Sequence, residues 1–318
     1  MSLSTTLRNQ VTSSNDPITW LRQGANVWNA WRREHPGVTP NLVGANLKGM
    51  DLSGVDLRSA RLSRVDLSGA DLSGADLSGA FLLEATLVNA NLTQTNLSAA
   101  CLIEADLSNA CLRGADLARA DLNNARLGGA SLTEANLSET FLIGACLART
   151  DLIGAYLAVA YLSEADLREA NLSSAFLRKA DFRAANLSQA KLEGAELSEA
   201  DLREANLKGA DLSRTSLSRA YLNDARLQGA DLSQSNCVGT YFSGASLGGT
   251  DFRGADLRQA NLQRTDLHNV RWEGAMLQGA MLPERFCRVA LGQRDRTAAV
   301  ATRSPVPLTG LVPEFVPC

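Results

Sequence analysis

Hydrophobic positions recur every five residues along most of this chain. From residue 42 to residue 282, 49 positions have numbers that end in 2 or 7, and each holds a leucine except Phe182, Cys237, Phe242, Phe252 and Trp272. Two residues before each leucine lies a small residue, which is alanine in 36 of the 48 cases between 45 and 280. A polar residue, usually Asp or Asn, separates the two, so the unit reads A-(D/N)-L-x-x. Such a short, strict period indicates one small structural unit stacked on itself.

A period of five is incompatible with an α-helix or a flat strand. A helix would distribute the leucines around its whole circumference, and a strand would send successive leucines to opposite faces. Within one unit, alanine and leucine are two residues apart, so an extended triplet points both inward and the polar residue outward. The last two positions must then turn a corner, and glycine, as at Gly54 and Gly69, favours the positive φ of a type II turn. The pattern predicts a coil whose successive turns hydrogen-bond as parallel strands.

Runs such as DLSGADLSGA at residues 66–75 resemble the pentapeptide-repeat family. The resemblance covers about three-quarters of the chain. It implies an all-β solenoid, a right-handed quadrilateral parallel β-helix with four pentapeptides per coil, in which residues 20 apart stack. On that basis residues 41–282 form about 12 coils, a rod of roughly 55–60 Å at ~4.8 Å per coil.

The two ends of the chain lie outside the repeat. Residues 1–15 are polar and predict a flexible N-terminus. Asp16-Pro17 is a helix-start signal, and residues 16–40 predict a helical N-terminal cap, with one helix from Ile18 to Glu34. Such a leader is similar to those of cyanobacterial members of the family; the alternative is a helix that docks a partner. Residues 283–292 predict a C-terminal cap, and residues 293–318, rich in Arg, Thr, Ser and Pro, predict a flexible tail.

No residue constellation in the sequence indicates catalysis. The two histidines, His35 and His268, have no partners at the spacing of a metal site or a catalytic triad. The six cysteines form no C-x-x-C pair, which favours reduced thiols in a reducing compartment. The sequence has no signal peptide and no transmembrane run. We therefore predict a non-enzymatic cytoplasmic protein without cofactor, metal or membrane insertion.

Charge bears on two functions that remain open. Members of the family include proteins that inhibit or protect type II topoisomerases by imitating duplex DNA, so the resemblance makes DNA gyrase a candidate partner. Mimicry requires a dense field of one sign, whereas the repeat region carries 29 acidic and 22 basic side chains. Its net negative charge also disfavours direct nucleic-acid binding. The favoured interpretation is a rigid scaffold that binds an unidentified protein partner.

One face of the predicted rod carries candidate interaction residues. Outward positions taken at steps of 20, with the corner residues two places on, give this patch: Phe81, Leu83, Cys101, Ile103, Phe141, Ile143, Tyr161, Tyr221 and Tyr241. Apolar side chains at positions that the repeat leaves polar have no role in the core, and exposed apolar surface marks binding sites. Two alternatives remain open: a stabilising ladder of stacked rings, or a surface covered by a terminal segment.

Overall fold

The computed structural model describes residues 17–284. The predicted flexible N-terminus, nearly all of the predicted C-terminal cap and the predicted flexible tail lie outside the described residues, and so does Asp16. The described part consists of two short helices followed by a long series of parallel bridges.

Residues 41–281 form a four-sided solenoid. Each outward residue forms a parallel bridge with the residue 20 places further on, from Asn41 with Arg61 to Asn261 with Met281. Each strand is reduced to one bridged residue, and each turn holds four pentapeptides, as the resemblance implied. We number the four faces by the residue at which each begins: the first face at 41, the second at 46, the third at 51 and the fourth at 56.

Backbone hydrogen bonds hold the coils together. The N–H of each inward leucine donates to the outward residue of the next coil, as from Leu42 to the carbonyl oxygen of Arg61 at 2.8 Å. The outward residue donates back to the previous coil, as from Arg61 to the carbonyl oxygen of Pro40 at 2.9 Å. Each coil thus satisfies the backbone polar groups of its neighbours.

The interior is a narrow column of leucine and alanine side chains, almost all of them buried. Where threonine replaces alanine, its hydroxyl donates to a backbone carbonyl, as from Thr95 to Leu72 at 2.7 Å. Cys237 occupies a leucine position, and burial raises the pKa of its thiol to about 12. The solenoid therefore places polar groups in its core only where the backbone can pair with them.

Every corner uses a residue in the left-handed conformation. Glycine is the expected residue there, and Gly54 has φ 62°, but 29 residues other than glycine also have positive φ, such as Arg64 at 59°. The polar residue of the unit helps to hold the corner, because its side-chain oxygen accepts a hydrogen bond from the backbone two residues on. Asp51 Oδ1 accepts from the backbone N–H of Ser53 at 3.0 Å and from its hydroxyl at 2.7 Å. This local contact explains the preference for Asp or Asn, and for Ser two residues later.

Two helices precede the solenoid: α1 (Pro17–Leu21) and α2 (Ala25–Glu34). The prediction of one continuous helix from Ile18 to Glu34 is wrong. Gly24 has φ 96°, a conformation that glycine adopts without steric cost, and the chain changes direction there.

Helix α2 provides hydrogen bonds that an earlier coil would otherwise provide. Asn29 Oδ1 accepts the Asp56 N–H at 2.8 Å, and Trp28 Nε1 donates to the Asp56 carbonyl at 2.6 Å. Arg32 Nη2 donates to the carbonyl of Arg58 at 2.8 Å, and Trp28 is fully buried. The N-terminal edge of the fourth face is therefore paired with helix side chains instead of presenting a free strand edge.

Larger side chains fill the C-terminal end of the core. Phe252 and Trp272 replace leucines and stack with ring centroids 5.4 Å apart. Trp272 and Leu282 are only partly buried. Within the described residues, helix α2 thus contacts the N-terminal end of the solenoid, and the C-terminal end of the core is incompletely covered.

Candidate protein-interaction surface

The first face carries the predicted interaction residues in one column. Bridges join Phe81 to Cys101, Phe141 to Tyr161, and Tyr221 to Tyr241. The three corner residues of the patch, Leu83, Ile103 and Ile143, lie beside this column. All nine side chains face outward; Cys101 and Ile103 are half-buried and the others are exposed.

Aspartates divide this column into three groups. Asp121 lies between Cys101 and Phe141, and Asp181 and Asp201 lie between Tyr161 and Tyr221. We call the groups the N-terminal cluster (Phe81, Leu83, Cys101, Ile103), the middle cluster (Phe141, Ile143, Tyr161) and the C-terminal cluster (Tyr221, Tyr241). The structure brings the residues together within each cluster but not across the column as a whole.

Ring stacking accounts for part of the aromatic content. Phe141 and Tyr161 stack with centroids 4.9 Å apart and planes 6° apart, and Tyr221 and Tyr241 stack at 5.1 Å and 4°. Such a pair contributes about 0.5–1.5 kcal/mol beyond its buried area. Phe81 has Arg61 and Cys101 as its bridge neighbours and is 51% exposed, so stacking does not explain an aromatic side chain there.

A second aromatic group lies around the corner on the fourth face. Tyr156 and Phe176 stack at 4.9 Å and 4°, and both side chains are exposed. Ile153 and Val159, at the two corners that flank Tyr156, are exposed as well. We call these four residues the fourth-face cluster. Because Tyr156 and Tyr161 lie in successive strands of one coil, the fourth-face and middle clusters form an apolar band across two sides of the rod.

The predicted patch did not include the fourth-face cluster, and Val159 is the member of that cluster with the least favourable backbone conformation. It occupies a left-handed corner with φ 60°, and from residue 44 to residue 279 it is the only β-branched residue at the left-handed position of a corner. A left-handed conformation costs an L-residue about 1–2 kcal/mol, and β-branched side chains tolerate it poorly. The sequence contains a signal for Val159, because it is an apolar residue in a corner column that elsewhere holds charged pairs. Two such pairs are Arg119 with Glu139 and Lys179 with Glu199.

Arginines neutralise many of the outward aspartates. Arg168 donates two hydrogen bonds to Asp166, from Nε at 2.8 Å and from Nη2 at 2.7 Å, and this contact holds the pKa of Asp166 below its usual value. Asp256 and Arg258 form the same fork, with the same effect on the pKa of the aspartate. These carboxylates are not free to act as a continuous array of negative charge.

The described residues give less support to a ligand pocket, a metal site or a membrane span. A shallow depression on the corner after the second face is lined by Asn109, Gly129 and the Arg149–Glu169 ion pair, whose Nε to Oε2 distance is 3.0 Å. No group of three His, Cys, Asp or Glu side chains between residues 17 and 284 is placed to hold a metal ion. Over the same range, neither helix has the length and apolarity that a membrane span requires.

Known proteins carry the same repeat. The family model described as pentapeptide repeats matches this chain in eight copies, which together extend from residue 41 to residue 283. No curated protein matches the sequence.

Several solved structures are similar to this chain. HetL, a pentapeptide repeat protein involved in heterocyst differentiation regulation from the cyanobacterium Nostoc sp. strain PCC 7120, is 36% identical; the match covers 67% of this chain and 90% of HetL, with a TM-score of 0.33. QnrB1, a plasmid-mediated fluoroquinolone resistance protein, is 20% identical over 57% of this chain and 96% of its own, with a TM-score of 0.33. A pentapeptide repeat protein from the Arabidopsis thaliana thylakoid lumen is 32% identical over 34% of this chain and 65% of its own, with a TM-score of 0.14.

Proposed function

This chain belongs to the pentapeptide-repeat family, whose members form right-handed quadrilateral β-helices, and from that premise we propose that it is a non-enzymatic scaffold that binds a protein partner. The binding surface is the aromatic and aliphatic surface of the first face, extended around the corner by the fourth-face cluster. The observation that carries the proposal is the band formed by Phe141, Tyr161, Tyr156 and Val159, which is apolar and exposed at positions that need no apolar residue.

Strain at Val159 supports a role in binding. A residue in an unfavourable backbone conformation persists where the surrounding structure or a function requires its side chain. Val159 is 41% exposed, so burial of its side chain does not offset the cost of its left-handed conformation. A partner that covers the band would bury this side chain and offset that cost.

The rod suits such a role because it is rigid. About 12 coils at ~4.8 Å each would form a rod capped by α2, and a preformed surface loses little conformational entropy on binding. The four cysteines in the described residues are free thiols, which favours a reducing compartment such as the cytoplasm.

Replacing Phe81, Phe141 and Ile143 together by serine is expected to abolish capture of the partner from the source organism while the melting temperature changes little. The three side chains are exposed, so their removal takes little apolar area out of the core. Affinity capture with the wild-type and triple-variant proteins, each with a melting curve, makes the comparison.

The converse result would favour the ladder alternative. If the triple variant loses stability but captures the same proteins, stacking is the role of these rings. If capture and melting are both unchanged, the assignment of the surface is wrong.

Val159→Gly is expected to raise the free energy of unfolding by about 1 kcal/mol, because glycine removes the left-handed strain. Partner capture should fall at the same time, because the exposed isopropyl group is lost. Chemical denaturation measures the first effect and affinity capture measures the second.

Ala99→Gly is the matched control for this variant. Ala99 lies in the same corner column three coils away, with φ 54°. Its replacement should also relieve strain but leave capture unchanged. Equal loss of capture in both variants, or unchanged capture in Val159→Gly, would contradict a binding role for Val159.

DNA mimicry is the alternative, with DNA gyrase as the partner. The excess of 29 acidic over 22 basic side chains in the repeat region favours it, while the arginine forks on Asp166 and Asp256 work against it. A gyrase supercoiling assay with the purified protein separates the two functions. Inhibition, or protection from a gyrase inhibitor, that survives the Phe81, Phe141 and Ile143 substitutions would favour mimicry.

A further inference from the structure

The C-terminal cluster differs from the others in its position relative to the end of the rod. Tyr241 is bridged to Asn261, and Asn261 is bridged to the exposed Met281, so one unbroken column leads from the tyrosine pair to the last bridged residue. The bridges end at Met281 on this same face, and the described residues end three positions later, at Glu284. Met281 lies two coils from Tyr241 and three from Tyr221, so the residues that follow Glu284 are tethered close to this column.

The edge of the first face beside this cluster carries two carboxylates, and the exposed Arg264 lies two coils beyond them at the same corner. Glu204 and Asp224 occupy exposed corner positions beside it. Between residues 17 and 284, no ion pair within 4.0 Å involves either carboxylate, although the adjacent Asp201 is paired with Arg203 at 2.6 Å. Unpaired carboxylates beside exposed tyrosines form a surface that suits a basic, apolar ligand.

The sequence beyond the rod has that composition. Residues 285–318 contain five arginines and two acidic residues, and the last 15 residues, SPVPLTGLVPEFVPC, are rich in proline and apolar side chains. Proline-rich segments present solvated backbone carbonyls and rigid apolar rings, which aromatic side chains bind well. Tyr221 and Tyr241 offer both an aromatic surface and hydroxyl donors.

The length of the segment permits this contact. The tyrosine pair lies about 10–15 Å from the last coil at ~4.8 Å per coil, whereas 20 extended residues reach about 60 Å. The proline-rich end, which begins 20 residues after Glu284, can therefore lie on the cluster while the arginines between them pass the acidic edge.

We propose that residues 293–318 fold back along the first face and lie across Tyr221 and Tyr241, with Arg294, Arg296 and Arg303 against the edge marked by Glu204 and Asp224. This proposal differs from the flexible tail that the composition of residues 293–318 predicts. The segment then occupies the C-terminal cluster and leaves the N-terminal and middle clusters to the partner. Only that last consequence rests on the proposed function; the docking itself does not.

The four tyrosines of the chain provide the test, because all four lie on the two faces concerned: Tyr156, Tyr161, Tyr221 and Tyr241. The protein is labelled with 3-fluorotyrosine, each fluorine signal is assigned by Tyr→Phe substitution, and spectra of the full chain are compared with those of a variant that ends at residue 292. We expect the Tyr221 and Tyr241 signals to shift and to become more sensitive to a soluble paramagnetic chelate, while Tyr156 is unchanged. A synthetic peptide of residues 293–318 should restore both signals.

A full-length variant keeps the test independent of truncation. Arg294→Glu, Arg296→Glu and Arg303→Glu together should release the segment and move the same two signals in the same direction. Unchanged Tyr221 and Tyr241 signals in both variants overturn the proposal, as does a change confined to Tyr156. If the Tyr221 and Tyr241 signals depend on protein concentration both with and without residues 293–318, a second copy of the chain covers this face. That result also overturns the proposal. None of these measurements involves the partner. Failure of the docking proposal can therefore be distinguished from failure of the proposed scaffold function.

Discussion

Leu167→Asp is expected to lower the free energy of unfolding by several kcal/mol, the largest effect of any single substitution considered for this rod. Leu167 is fully buried in the interior column, midway along the solenoid. The substitution removes a leucine whose burial contributes about 1.5–3 kcal/mol and buries a carboxylate that has no cation within reach. Chemical denaturation followed by circular dichroism measures the change.

Leu83→Asp is the matched control for this substitution. Leu83 is exposed at a corner, so the same change of residue should leave the free energy of unfolding within about 0.5 kcal/mol of the wild type. If Leu167→Asp melts like the wild type, or if the two variants lose equal stability, the division into inward and outward positions fails.

Deletion of residues 1–35 is expected to destabilise the first coil and to increase self-association through the N-terminal end of the rod. The deletion removes the buried Trp28 and the side chains of Asn29 and Arg32, which pair with the backbone of the first coil. It would leave a free strand edge next to an uncovered core, a combination that favours edge-to-edge pairing. Light scattering reports association, and hydrogen exchange reports the opening of residues 41–60.

Trp28→Ala separates the loss of packing from the loss of the whole helix. A buried tryptophan contributes about 3–5 kcal/mol relative to alanine. Its replacement should open the first coil in hydrogen exchange, whereas Gln23→Ala, in the exposed segment between α1 and α2, should not. A deletion variant that keeps the size and melting behaviour of the full chain would contradict the role of α2 as a cap.

The repeat could be predicted almost completely from sequence because the contacts and the spacing that define it lie within a few residues. The side chain of Asp51 holds its own corner through Ser53, and Leu42 and Ala45 are inward because of their spacing alone. The four-sided coil required the resemblance, because a period of five does not specify how many units close a turn. The break at Gly24 was missed because helical periodicity outweighed a glycine that tolerates either conformation.

The surface was less accessible to prediction because it depends on residues that are distant in sequence. The column from Phe81 to Tyr241 follows from the step of 20, but its meeting with Tyr156 and Phe176 emerges only when successive faces are placed around a corner. The glycines at equivalent positions already indicate a positive φ for the corner of Val159, but its place between Tyr156 and Tyr161 follows only from the four-sided coil. The contacts of α2 with Asp56 join residues 27 and 28 apart and follow no periodic rule.

The coil of four units also means that changes in chain length act as rotations. Loss of one pentapeptide between Tyr161 and Tyr221 would leave every leucine inward, because the interior repeats with each unit and not with each coil. Everything downstream would nevertheless turn by a quarter of a circle about the rod axis. Tyr221 and Tyr241 would leave the first face and line up above Tyr156 and Phe176. The core of this protein is indifferent to five-residue insertions and losses, whereas the pattern on its outside survives only those that come in multiples of 20.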